Sequence, residues 1–112
     1  MWLTRTVFLA AILGPSIACG GAVSGGIVDY EQARYPEALQ RFRHAEPDAA
    51  WWDGRDMARY ALYRGLTHLA LGDKEAAARW LREAKITLDR DPNTFSEEER
   101  CRLAAALAHL PP

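Results

Sequence analysis

The chain has 112 residues, 49% of them hydrophobic and 26% charged, with a formal net charge of −1. This is the length and make-up of a single globular domain. So balanced a charge provides neither the basic field of a nucleic-acid binder nor an acidic tail.

The first eighteen residues follow the grammar of a secretory signal peptide. Met1 to Arg5 carries one positive charge, Val7 to Leu13 is an apolar run, Gly14-Pro15 breaks it, and Ser16-Ile17-Ala18 is a small-x-small cleavage signature. The run is too short to span a bilayer. The next residue is Cys19, followed by Gly20-Gly21. Ser-Ile-Ala-Cys resembles a bacterial lipobox, in which a diacylglycerol is attached to the cysteine thiol before cleavage. Ser16 departs from the leucine which that pattern prefers. The resemblance implies lipid on Cys19 and a membrane attachment facing the periplasm. Plain cleavage after Ala18 is the alternative, giving a soluble periplasmic or secreted protein. Removing residues 1–18 leaves 94 residues, a size that buries about 60–70% of its chain surface.

Residues 19–26 read CGGAVSGG, half of them glycine. The composition predicts a flexible tether, with a frayed start of the next helix as the other reading. Residues 27–112 then form the folded domain. Ile27, Tyr30 and Ala33 lie at helical spacing, Ala33-Arg34-Tyr35 is a turn, and Pro36 suits the first turn of a second helix. Ala38, Leu39, Phe42 and Ala45 give that helix an apolar stripe, and Glu46-Pro47 stops it.

After a loop containing Trp51-Trp52, Asp53 is placed to cap a helix running to Leu71, with Asp56 adding negative charge to its first turn. Met57, Tyr60, Ala61, Leu62, Leu66 and Leu69 recur three and four apart. Gly72 supplies a left-handed residue after the helix, and Asp73 caps the next one. Its inward stripe is Ala76, Ala77, Trp80, Leu81, Ala84 and Leu88, and Asp91-Pro92 ends it. So short a turn makes the pair an antiparallel hairpin. Ser96 and Glu99 form a capping box. Leu103, Ala104, Leu107, Ala108 and Leu110 follow as the stripe of a last helix that covers the open face of the second hairpin.

The two hairpins share a pattern. Ala38, Phe42 and Ala45 in the first match Ala77, Leu81 and Ala84 in the second, and Ala33 matches Gly72. This internal repeat resembles the tetratricopeptide repeat, on whose small-residue position Gly65 also falls. The resemblance covers residues 26–92 and implies an all-α fold of about two such hairpins plus a capping helix, acting in protein–protein interaction. The spacing from Ala33 to Gly72 is longer than that family's period, and Arg64 and His68 stand where it places large apolar residues. Generic helical hairpins also show the alanine pattern.

Candidate sites are few. His44, His68 and His109 lie on three different helices without metal-ligand spacing, so no metal is expected. Without a nucleophile-and-base motif, a phosphate loop or a CxxC, the chain reads as a non-enzyme with no cofactor. Cys101 reads as a small buried hydrophobe on the last helix, unless it pairs with Cys19. Trp51 and Trp52 read either as core plugs or as an aromatic hot spot for a partner. Arg55, Arg59, Tyr60, Tyr63 and Arg64 line the first helix of the second hairpin. By the repeat resemblance, part of that helix would face a peptide-binding groove, which implies an Arg/Tyr surface for a carboxylate-bearing peptide. A solvated helix face is the plainer reading. The partner is a protein or peptide, not nucleic acid.

Overall fold

A computed structural model describes residues 21–112; the predicted signal peptide and Cys19 lie outside them. The described chain is all-helical: α1 (Gly21–Glu31), α2 (Tyr35–Ala45), α3 (Gly54–Ala70), α4 (Lys74–Arg90) and α5 (Glu97–Leu107). Short 3-10 segments occupy Glu46–Trp51 and Pro92–Thr94.

The helix ends form where local chemistry places them. The Asp53 carboxylate accepts from the Asp56 N–H at 2.8 Å, and Asp73 accepts from Ala76 at 3.1 Å. Ser96 and Glu99 close the capping box in both directions. Asp91 ends α4 and then accepts from the Asn93 N–H, turning the chain towards α5.

One prediction gives way at the start. Gly21–Gly26, expected as tether, forms the first turns of α1. Val23 and Ile27 are buried, and that apolar contact offsets the backbone entropy that the glycines lose. Gly26 has a packing role as well. A Cβ there would lie 2.5 Å from the Phe42 ring, so the missing side chain lets α1 lie close against α2.

The second hairpin repeats the first at a constant interval of 39 residues. A Cβ on Gly65 would come within 2.7 Å of the Leu81 side chain, as one on Gly26 would meet Phe42. Ala33 and Gly72 adopt positive φ, 61° and 85°. The Arg34 N–H donates to the Asp29 carbonyl, and the Asp73 N–H donates to that of His68. Ala38 and Ala77, then Ala45 and Ala84, are all buried at the helix contact. Because each glycine and its partner lie on opposite sides of a three-residue turn, the helices of each pair fold back on one another. The side chains at each turn also correspond in position, an ion pair in the first and an imidazole near a carboxylate in the second. Buried Asp29 takes Arg34 at 3.2 Å in the first, and buried His68 lies 3.9 Å from Asp73 in the second.

The core runs through both hairpins and into α5, with Phe42, Tyr60, Leu62, Leu81, Phe95 and Leu103 fully enclosed. α5 covers α3 and α4 with Leu103 and Ala106, while Leu107 and Leu110 are partly buried. The predicted stripe is partly wrong here. Ala104 and Ala108 face outward, and Cys101 is exposed, not buried. The α5 surface that packs is centred on Glu99, Leu103 and Ala106, so Leu103 keeps its predicted place while Ala104 and Ala108 lose theirs.

Candidate functional site

The Arg/Tyr helix α3 does not present one open surface. Its face towards α1 and α5 is closed by a polar network drawn from the chain itself. The Arg59 Nε donates to the Glu99 Oε2 at 3.1 Å, and the Tyr63 hydroxyl donates to the same oxygen at 3.2 Å. The Arg102 Nη1 donates to the Tyr63 oxygen at 2.8 Å and to Glu31 at 3.2 Å, while its Nη2 reaches Glu98. Tyr30 packs edge-on to Tyr63, ring centroids 5.6 Å apart. Burial pushes the Tyr63 hydroxyl up to about 12, with the Glu99 charge adding to it. Burial alone would raise the Glu99 carboxyl. The Ser96 N–H and the Arg59 guanidinium outweigh it and hold that carboxyl below its usual value. The carboxylate expected from a bound peptide is thus supplied by α5, and Arg59 and Tyr63 act as a zipper between helices rather than as a receptor.

Arg64 lies on the other side of α3 and is buried. Its Nη1 donates to Glu46 at 2.6 Å and to the Tyr60 hydroxyl at 2.7 Å, and its guanidinium carbon lies 4.7 Å from the centre of the Trp80 ring. The Tyr60 hydroxyl in turn donates a hydrogen bond to the Phe42 carbonyl at 2.9 Å. The ring of Tyr60 meets Phe42, Trp52 and Trp80 at 5.7, 4.9 and 5.4 Å. The His68 Nε2 is 3.5 Å from the Arg64 Nε. Burial lowers the His68 pKa, the Arg64 charge lowers it further, and Asp73 opposes them in part. An arginine fits this apolar position because its planar group stacks on Trp80 while its donors find oxygen partners.

Of the seven residues predicted for a partner, Tyr60, Tyr63 and Arg64 are therefore structural and Arg59 is held by Glu99. Trp52 is half-buried against Tyr60. Trp51 is 86% exposed, and Arg55 is exposed. The two adjacent tryptophans divide the two roles between them: the 3-10 turn points one into the core and the other into solvent. Arg55 also lines an open groove of ≈ 600 Å³ between the start of α3 and the end of α4, together with Met57, Ala61, Glu83, Thr87 and Arg90. A second of ≈ 390 Å³ shares Met57 and Glu83 and reaches Trp80. Among the described residues no group of three or more His, Cys, Asp or Glu is placed to hold a metal ion.

Sequence reasoning missed Glu99, Arg102, Glu31 and Glu46 as partners of these side chains. Glu99 was legible as half of a capping box. Its second oxygen, which serves Arg59 and Tyr63, leaves no mark in local sequence. No protein-family model matches the chain, and no curated protein or solved structure matches it.

Proposed function

We propose that this protein is a small lipoprotein of the bacterial cell envelope, attached through lipid on Cys19, whose tetratricopeptide-like helical domain serves as an adaptor or accessory subunit for other proteins. The observation that carries the reading is the hairpin doubled at 39 residues, with a glycine, a positive-φ turn residue and two alanines in register. Stacked helical hairpins of this kind are characteristically used as binding surfaces. The interval exceeds the family's period of about 34 residues, and the extra length falls in the 3-10 turn that displays Trp51. Arg64, at an apolar position of the family, is accommodated by Trp80 and Glu46.

Trp51, Arg55 and the adjoining groove form the surface proposed for the partner. An exposed tryptophan buries a large area at low entropic cost when a protein covers it. The lipid anchor rests on the sequence before Cys19. Among the described residues no helix is long and apolar enough to cross a membrane.

Two measurements test the proposal. The intact mass of the mature protein will show acyl additions on Cys19, and Cys19→Ser will move the protein out of the membrane fraction or leave it as uncleaved precursor. An unmodified mass starting at Cys19 favours the soluble secreted subunit. Affinity capture from detergent-solubilised membranes, run beside Trp51→Ala, will identify a protein retained by the native chain and lost from the variant. Equal recovery by both would remove Trp51 from the binding surface.

A further inference from the structure

The 39-residue register does not stop at the second hairpin. It carries Tyr60, Arg64 and Thr67, all buried on α3, onto Glu99, Leu103 and Ala106, the three buried residues of α5, and of the α3 residues Tyr60 bonds to Phe42 of the preceding hairpin. It carries Gly26 and Gly65 onto Ala104. The α3 positions Leu62, Leu66 and Leu69, buried or partly buried in the second hairpin, become Cys101, Ala105 and Ala108. All four of these α5 residues are exposed. α5 is therefore the first helix of a third unit, with the face that α1 gives to α2 and α3 gives to α4 left uncovered. A helix that merely terminates a stack turns a polar face to water, and this one turns Cys-Ala-Ala-Ala.

The chain does not cover that face in the same way. Pro111 falls at the register position of Ala33 and Gly72, whose φ values are 61° and 85°. A proline ring holds φ near −65°, so the turn that folds α2 and α4 back cannot form a third time. A helix of another molecule can take that place instead. Its character follows from Ala104. In the hairpins the glycine at this position leaves room for Phe42 or Leu81, and an added Cβ would collide with either at 2.5 and 2.7 Å. Ala104 carries that Cβ, so a close-packed partner helix must be small where α2 and α4 are large. α5 meets that requirement itself.

We propose that two copies of this chain pair through α5, antiparallel, around a twofold axis at Ala104 and Ala105. This is the uncovered continuation of the interface already built twice within the chain. In this arrangement Cys101 faces Ala108 of the other copy, while the two Cys101 residues lie two helical turns apart. The strip is narrow, so the association is weak and transient. It uses neither Trp51 nor the lipid, and its failure would leave the adaptor reading intact.

Sedimentation equilibrium of the purified full chain, from about 10 µM to about 1 mM, is expected to show the mass per particle rising from one chain to two. Ala104→Glu is expected to remain a single chain throughout. Its circular dichroism and melting midpoint at low concentration should match the native protein, because position 104 is exposed. Ala108→Cys, oxidised with diamide, is expected to give a reducible dimer at least tenfold faster than the native chain, through a disulfide from Cys101 of one copy to the introduced thiol of the other. A native chain that stays single at the highest concentration overturns the pairing, as does a slow Ala108→Cys cross-link or undiminished dimer in Ala104→Glu. If the native chain stays single but binds a synthetic peptide of residues 74–90, and Ala104→Glu does not, the face belongs to a foreign helix and self-pairing is overturned.

Discussion

Arg59 and Glu99, 40 residues apart in the chain, meet at 3.1 Å and join the second hairpin to the last helix. The carboxylate side chain is 8% exposed and the guanidinium 33%, so the pair is screened by water on the arginine side only. Glu99 also accepts from the Ser96 N–H at its own helix start. One side chain therefore starts α5 and docks it.

Glu99→Ala is expected to lower stability by about 2–4 kcal/mol, combining loss of a cap with loss of charge-assisted bonds. The folded pKa of Glu99 is depressed below its unfolded value. The stabilisation from its ionised form is thus present above the unfolded pKa, near 4.5, and is lost as pH falls through the folded value. Melting midpoints measured from pH 7 down to about 3 should fall more steeply for the native chain than for Glu99→Gln. Parallel curves would mean that the carboxylate contributes nothing specific.

Arg64→Ala and Arg59→Ala separate a buried arginine from a half-exposed one. Arg64→Ala strips Trp80 of its stacking partner and leaves the Tyr60 hydroxyl and Glu46 without a donor. A loss of about 2–4 kcal/mol follows from removing one partner of a buried polar cluster. Arg59→Ala should cost less, about 1–2 kcal/mol, because water replaces part of its environment. Denaturant titration of both variants measures the difference, and equal midpoints would contradict the burial of Arg64.

Gly65→Ala tests the close approach of α3 and α4. In an exposed helix the change would stabilise by about 1 kcal/mol. Here the new Cβ would meet the Leu81 side chain at 2.7 Å and its backbone nitrogen at 3.1 Å, so a net loss of about 1–3 kcal/mol is expected. Ala77→Leu should cost a similar amount, since Ala77 is fully buried at the same contact. Gly54→Ala is the control, with nothing within 4 Å of its added Cβ. Thermal melts in which Gly65→Ala is as stable as Gly54→Ala would show that the hairpin opens to accept the methyl.

Trp51→Ala should leave folding within about 0.5 kcal/mol of the native protein, the usual range for a surface position. Trp52→Ala should not, because its ring packs 4.9 Å from that of Tyr60. A cost of about 2–4 kcal/mol is expected for removing so large a half-buried ring. Circular-dichroism melts of the two variants decide whether the adjacent tryptophans divide their roles as described.

Local chemistry alone determined the starts of α3, α4 and α5. Asp53, Asp73 and the Ser96–Glu99 box act on N–H groups three residues away, and Gly72 needs only its own backbone freedom. The alanine stripes are legible because a helix converts spacing in sequence into one face in space. The tertiary structure alone decided what those faces meet. Whether Arg59 sees a peptide or Glu99 depends on where α5 docks, 40 residues on. Whether Cys101 lies in or out depends on a rotation of about one residue about the α5 axis, which an alanine-rich helix does not encode by hydrophobicity. Gly21–Gly26 is poor helix sequence by propensity. It becomes helical because Phe42 needs a surface without a Cβ at Gly26, and only the folded hairpin brings the two together.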